Sequence, residues 1–195
     1  CKGSTGPTTK KASGQSFGTS FPDLSINDMV RAQKILVDHL GVSKHFAVVG
    51  GSMGGMQALQ WVVKYPKFSE KAIIIAATAQ HTVQTIAFNE AGRRSIMGDP
   101  CWKEGEYECE EGPRNGLAVA RMMAHITYLS DHGMEEKFGG EKRLDPGKEF
   151  EFSVQRYLDY QGEKFIDRFD ANSYLKLTEA LDRFDLVGES GLEEN

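Results

Sequence analysis

"HFAVVGGSMGGMQALQWVVKYP" (residues 45–66) is the stretch whose reading decides the fold. It opens as a short β-branched and aromatic run suited to a buried strand, breaks at paired glycines, and resumes with helical spacing. Pro66 stops that helix, because proline disfavours helical geometry in the residue before it. Downstream, "KAIIIAA" (residues 71–77) reads as a second buried strand. Upstream, Ser25 and Asp28 match a capping box, after which Ile26, Met29, Val30, Leu36, Val37 and Leu40 fall on one side of a helix ending at Gly41. Residues 25–77 thus read as helix, strand, sharp turn, helix, strand. This is a right-handed crossover unit of a parallel sheet expected to be covered on both faces, and the fold class is α/β.

Outside that unit the texture changes. Residues 1–20 are rich in Gly, Ser, Thr and Lys without an apolar period, and read as loop. Residues 80–96, 116–129, 153–165 and 171–184 have helical character, separated by the polar loops "GDPCWKEGEYECEEGP" and "FGGEKRLDPGKE". Two strands followed by helices do not close a parallel sheet, which has about 4 to 6 strands as a rule. The expected division is a partial sheet domain over 1–79, a helical insertion over 80–185, and a return toward the sheet over 186–195.

With 195 residues the chain is long enough for one domain with a sizeable core and a modest insertion. Its 23 basic and 28 acidic residues give a net charge of −5, and no basic block is present to neutralise a row of phosphates, which argues against nucleic acid as a partner. The longest apolar run, residues 72–77, is far short of the roughly 20 residues that span a bilayer. A soluble, cytoplasmic protein is expected. Three cysteines, Cys1, Cys101 and Cys109, have neither the pairing of a disulfide framework nor the spacing of a metal site, and are expected to be reduced thiols. No metal and no bound cofactor are expected.

Gly50-Gly51-Ser52-Met53-Gly54 fits G-x-S-x-G between a strand and a helix, the pattern of a nucleophile elbow. A strand turning abruptly into a helix strains the backbone at the serine and crowds its neighbours, so Gly50 and Gly54 are expected to provide room. The backbone N–H of Met53 at the helix start then points where the oxygen of a tetrahedral intermediate would form. The plain alternative is a Gly-Ser turn without chemistry. A phosphate-binding loop fits less well, since G-K-[ST] and the full G-x-G-x-x-G spacing are both absent. Ser52 needs a base oriented by a carboxylate. His39 and His45 read as surface residues, and no base is assigned among the five histidines.

The chain resembles the homoserine O-acetyltransferase family, CoA-dependent acyltransferases with the α/β-hydrolase fold. The resemblance rests on "CKGSTGP" (1–7), "GGSMGGMQALQW" (50–61), "IAFNEAGRRSI" (86–96), "GLAVARMMAHITYLS" (116–130) and "YQGEKFIDRFDANSYLKLTEALDRFD" (160–185). It implies a partial α/β-hydrolase fold with an inserted helical lid, covering an active site where Ser52 attacks acetyl-CoA and the hydroxyl of L-homoserine takes the acetyl group, an early step of methionine biosynthesis. It implies that Arg121 and Tyr128 hold the homoserine carboxylate and line the pocket, that acetyl-CoA is a co-substrate, and that the lid contributes to a homodimer. The aspartate and histidine of the triad are then expected beyond Asn195, making these residues an internal fragment, inactive alone.

The residues themselves agree to a point. Arg121, His125 and Tyr128 are spaced i, i+4, i+7 on one helical face, and a guanidinium can bind a carboxylate through two parallel hydrogen bonds. Without the resemblance, Arg121 reads as a solvated helix arginine. Met56, Trp61, Met122 and Met123 read as packing residues, and Asp170 or Asn172 as the cap of the helix at 171–184. Two other readings remain open: a homoserine O-succinyltransferase or serine esterase of the same fold, and a non-catalytic helical binding module.

Overall fold

The computed structural model describes residues 4–107, 112–139 and 152–190. The elements in chain order are α1 (Ile26–His39), β1 (His45–Gly51), α2 (Met53–Lys64), β2 (Ser69–Ile75), α3 (Val83–Met97), α4 (Arg114–Thr127), α5 (Asp131–Phe138), α6 (Ser153–Ile166), α7 (Ala171–Asp182) and α8 (Leu186–Ser190). Contacts divide the chain into a sheet unit, Pro22–Ile86 with Lys176–Asn195, and a helical unit, Cys1–Phe21 with Ala87–Leu175.

In the sheet unit the capping box at α1 forms as the sequence predicts. Ser25 Oγ accepts from the Asp28 N–H at 3.1 Å, and Asp28 Oδ2 accepts from the Ser25 N–H at 3.0 Å, so two donors at the helix start are satisfied. At the other end Gly41 adopts φ 71, a conformation that costs a glycine little. Ile26 and Val30 are buried and Val37 is half-buried, but Leu36 and Leu40 are exposed, so the expected apolar face of α1 is covered only in part. Ile26 joins Met56, Phe184 and Leu186 in the core, with Met29, Met53, Leu59, Ala77, Ala79 and Leu181 packed around them.

β1 and β2 pair in parallel, His45 opposite Ser69 and Gly51 opposite Ile75. β1 occupies the expected residues. β2 runs over 69–75 rather than 71–77, because Ala76 takes φ 48 and leaves the extended conformation. The expectation of a sheet covered on both faces does not hold among the described residues. α2 packs on the face carrying Gly50 and Ile74, while Val49, Ile73 and Ile75 on the other face are exposed. Among the described residues α2 is the helix packed closely on the two strands, and it lies against one face.

The helical unit has its own core of Ile96, Leu117, Ala120, Phe165, Ala171 and Leu175, with Trp102, Tyr107, Phe169 and Tyr174 packed on it. α4 and α6 approach closely at Gly162, where a Cβ would stand 3.1 Å from both Ala118 Cβ and Met122 Cε. In the polar loop at 98–113, Pro100–Gly105 is 3-10 in type with a kink at Lys103 and Glu104, both at positive φ, and Asp99 accepts from the Cys101 and Gly116 N–H groups at 2.9 Å each. Asp170 caps α7, accepting from the Ser173 N–H at 2.7 Å. Asn172 does not cap the helix; buried, it donates to Gly105 O at 2.8 Å and accepts from Trp102 Nε1 at 3.2 Å. α5, with Ser130 accepting from the Gly133 N–H, is a helix the periodicity did not reveal. Most of the loop at 138–149 lies outside the described residues, as do Cys1 and Cys109; Cys101 is an exposed free thiol.

Candidate active site

Ser52 sits where β1 ends and α2 begins, with φ 54 and ψ −123. A non-glycine residue is strained in that conformation, at a cost of about 1–3 kcal/mol. Four contacts hold it there. The Ser52 N–H donates to Ile75 O at 2.9 Å, tying the turn to the end of β2, and Ser52 O accepts from the Gly55 and Met56 N–H groups at 2.8 and 3.1 Å. The fourth is steric: a Cβ on Gly50 would lie 2.0 Å from Gly54 O, so strand and helix can meet at this angle only if residue 50 has no side chain. The second glycine required by contact is Gly55, whose Cβ would come within 2.5 Å of Ala77 Cβ; at Gly54 a Cβ would meet nothing within 4 Å. The expectation that Gly54 provides room is therefore corrected to Gly55, because the crowding comes from β2 and the residues after it.

The Ser52 side chain is exposed and caps no helix N–H. The Met53 N–H, in the first turn of α2, has no acceptor among the described residues, leaving it available to a developing oxyanion, favoured further by the positive end of the helix dipole. Among the described residues no imidazole is hydrogen-bonded to Ser52. His45 starts β1, at the end away from Ser52, and is not the surface residue expected: it is half-buried with its ring 4.8 Å from that of Phe68 and 5.4 Å from that of Trp61. His39 is exposed. His81 is bound to Asp182 at 3.0 Å, a pairing that sequence reasoning missed because 101 residues separate the partners.

The other sequence-predicted site residues belong to the helical unit. Arg121, His125 and Tyr128 do meet on one face of α4. The Arg121 guanidinium lies 4.6 Å from the Phe165 ring and 5.6 Å from that of Tyr128, and its Nη1 donates to the Tyr128 hydroxyl at 3.4 Å. The His125 and Tyr128 rings are 5.3 Å apart. His125 Nδ1 is 2.8 Å from the Tyr157 hydroxyl of α6. Arg121 Nε and His125 Nε2 are both enclosed and without partners. Burial, and next the Arg121, Lys137 and Arg168 charges, hold His125 below the ordinary histidine pKa, so the neutral imidazole is favoured. Met56 and Trp61 are buried, as packing residues should be. Among the described residues no three His, Cys, Asp or Glu side chains are grouped to hold a metal ion, and no helix is long and apolar enough to cross a membrane.

A serine on a sharp strand-to-helix turn is the nucleophile-elbow pattern of one fold family. The family model described as the alpha/beta hydrolase fold matches residues 1–182, and the chain belongs to that family. Within it, the chain is 55% identical over 197 residues to a homoserine O-acetyltransferase of Methanosphaerula palustris, a match covering 98% of this chain and 40% of the relative. Among solved structures, a homoserine O-acetyltransferase from Bacillus anthracis superposes with a TM-score of 0.85 at 28% identity, over 95% of this chain and 51% of that one. An esterase superposes with a TM-score of 0.82 at 31% identity, over 93% and 51%. The chain thus spans about half the length of the proteins it matches, or less.

Proposed function

We propose that this chain supplies the nucleophile and the acceptor-binding residues of a homoserine O-acetyltransferase. The observation that carries the proposal is the backbone of Ser52, strained at φ 54 between β1 and α2 with its side chain exposed. Glycine would take this conformation without strain and the Ser52 side chain caps no helix donor, so a serine there supports a role in presenting its hydroxyl. The identity with homoserine O-acetyltransferases supports the choice of donor and acceptor.

In this reading Ser52 Oγ attacks the thioester carbonyl of acetyl-CoA while the Met53 N–H donates to the resulting oxyanion. Collapse expels CoA as the thiol, taking up the proton lost by the serine, and leaves acetyl-serine. The hydroxyl of L-homoserine then attacks the ester, its proton returns to Ser52 Oγ, and O-acetylhomoserine departs. Arg121 and Tyr128 hold the acceptor carboxylate. Residues 80–185 act as a lid that keeps water from the acetyl-serine, which must outlast the departure of CoA. A homodimer formed through that lid, and a cytoplasmic place in methionine biosynthesis, belong to the same proposal.

The test is Ser52→Ala in the protein that carries this segment, supplied with acetyl-CoA and L-homoserine. Release of CoA thiol and O-acetylhomoserine should fall by about 10⁴-fold or more; unchanged product formation removes Ser52 from the mechanism. A second reading, an esterase, is favoured by the esterase superposition. Acetyl ester hydrolysis that is fast without an amino-acid acceptor, together with no transfer to L-homoserine, would establish it instead.

A further inference from the structure

We propose that His125 is a further donor to the acceptor's carboxylate, beside Arg121 and Tyr128, and that Tyr157 is the positioning residue that orients it. The inference rests on the reading above, in which Arg121 receives that carboxylate.

The starting point is a pair of unsatisfied nitrogens. Arg121 Nε and His125 Nε2 stand one turn apart on α4, both enclosed, neither with a hydrogen-bond partner. Enclosed polar atoms of this kind ordinarily find partners. A donor and an acceptor so placed could satisfy each other. Two donors cannot, and they call for an acceptor from outside. Arg121 Nε–H is a donor by nature. His125 Nε2 is one as well if the Tyr157 hydroxyl donates its proton to Nδ1, since the neutral imidazole then carries its hydrogen on Nε2. With the Tyr157 hydroxyl taken as the donor in this 2.8 Å contact, the imidazole hydrogen is on Nε2, and the ring contact with Tyr128 holds the imidazole in the same patch as the guanidinium.

The charge around the pair is positive. Arg121, Lys137 and Arg168 all act on His125, and none of the three forms an ion pair among the described residues. Lys137 lies 4.2 Å from the face of the Tyr157 ring and Arg168 5.8 Å from that of Phe165, contacts that leave their charges uncompensated. An anion is the ligand such a field favours. A carboxylate, with two oxygens and one charge, can accept from both nitrogens. An ammonium group would meet two donors and three cations.

The experiment measures binding by calorimetry in the full protein carrying Ser52→Ala, so that no turnover occurs, with L-homoserine and L-homoserinamide, whose carboxylate is replaced by an uncharged amide. His125→Phe, which keeps a ring and loses both nitrogens, should weaken L-homoserine by roughly tenfold to a hundredfold and L-homoserinamide far less. Tyr157→Phe, the mildest change, should weaken L-homoserine by a smaller factor with the same selectivity, and His125→Gln, which restores a donor, should recover much of the loss. If Arg121→Ala weakens L-homoserine while His125→Phe and Tyr157→Phe do not, the role of His125 is overturned and the acceptor site stands. Equal weakening of both ligands by His125→Phe also overturns it, because the effect is then not carboxylate recognition. If Arg121→Ala leaves L-homoserine binding unchanged, the acceptor site itself is misplaced and the inference falls with it.

Discussion

His81 Nδ1 lies 3.0 Å from Asp182 Oδ1, although 101 residues separate them, and both side chains are nearly buried, at 11% and 10% exposure. The bond sits in the sheet unit, close to where the chain leaves for the helical unit after Ile86 and returns at Lys176. Two neighbouring contacts reinforce it: Gln80 Nε2 donates to Asp185 Oδ2 at 2.9 Å, and the Leu186 N–H donates to Ala79 O at 3.0 Å. The departing and returning segments are joined within one unit.

His81→Ala should therefore destabilise the protein by about 1–3 kcal/mol, because it strips a partner from a carboxylate that is nearly out of water. The ion pair Lys44–Glu70, as short at 2.9 Å but about half exposed on both sides, is the comparison. Lys44→Ala should cost no more than about 0.5 kcal/mol. Urea unfolding of the two variants measures both, and equal costs would mean that burial of the His81 pair has no energetic consequence.

Gly50 and Gly54 occupy symmetrical positions about the serine in the motif and opposite positions sterically. Gly50→Ala would place a Cβ 2.0 Å from a backbone oxygen, against which no rotamer can adjust, so a loss of at least about 3 kcal/mol or failure to fold is expected. Gly54→Ala meets nothing within 4 Å and lies in a helix, where alanine gains up to about 1 kcal/mol over glycine. Melting temperatures of the two variants should move in opposite directions.

At Ser52 the strain can be separated from the chemistry. Ser52→Ala and Ser52→Gly both remove the hydroxyl, but only glycine relaxes at φ 54. Ser52→Gly should be the more stable by about 1 kcal/mol, the strain relieved less the greater entropy glycine loses on folding. Equal stability in thermal unfolding would remove strain from the description of the turn.

The cap of α1 gives a pH dependence. The Ser25 hydroxyl, and next its backbone N–H, hold the Asp28 carboxyl below its usual pKa of 3.8. A depressed folded-state value means that the contribution to stability is complete above pH 3.8 and is lost as pH falls through the lower folded value. Ser25→Ala should cost about 1 kcal/mol at pH 7 and move the Asp28 titration, followed by carboxyl NMR, upward toward its ordinary value. An Asp28 titration that does not move would place the cause elsewhere.

Features governed by local rules were legible in the chain alone. The Ser25–Asp28 cap lies within four residues, the β-branched run at 45–51 carries its own strand preference, Pro66 limits the helix before it, and the glycines about Ser52 announce a sharp turn; each is readable because cause and effect are neighbours in the chain. The rest depended on packing. Leu36 and Leu40 continue the period of α1 and yet are exposed, because burial requires a partner and among the described residues nothing covers these two side chains. Gly55 rather than Gly54 must be bare because Ala77, just past the end of β2, approaches it. Tyr157 reaches His125 across 32 residues and Asp182 reaches His81 across 101, distances over which no periodicity carries information, since only the folded arrangement brings such residues within the reach of a hydrogen bond.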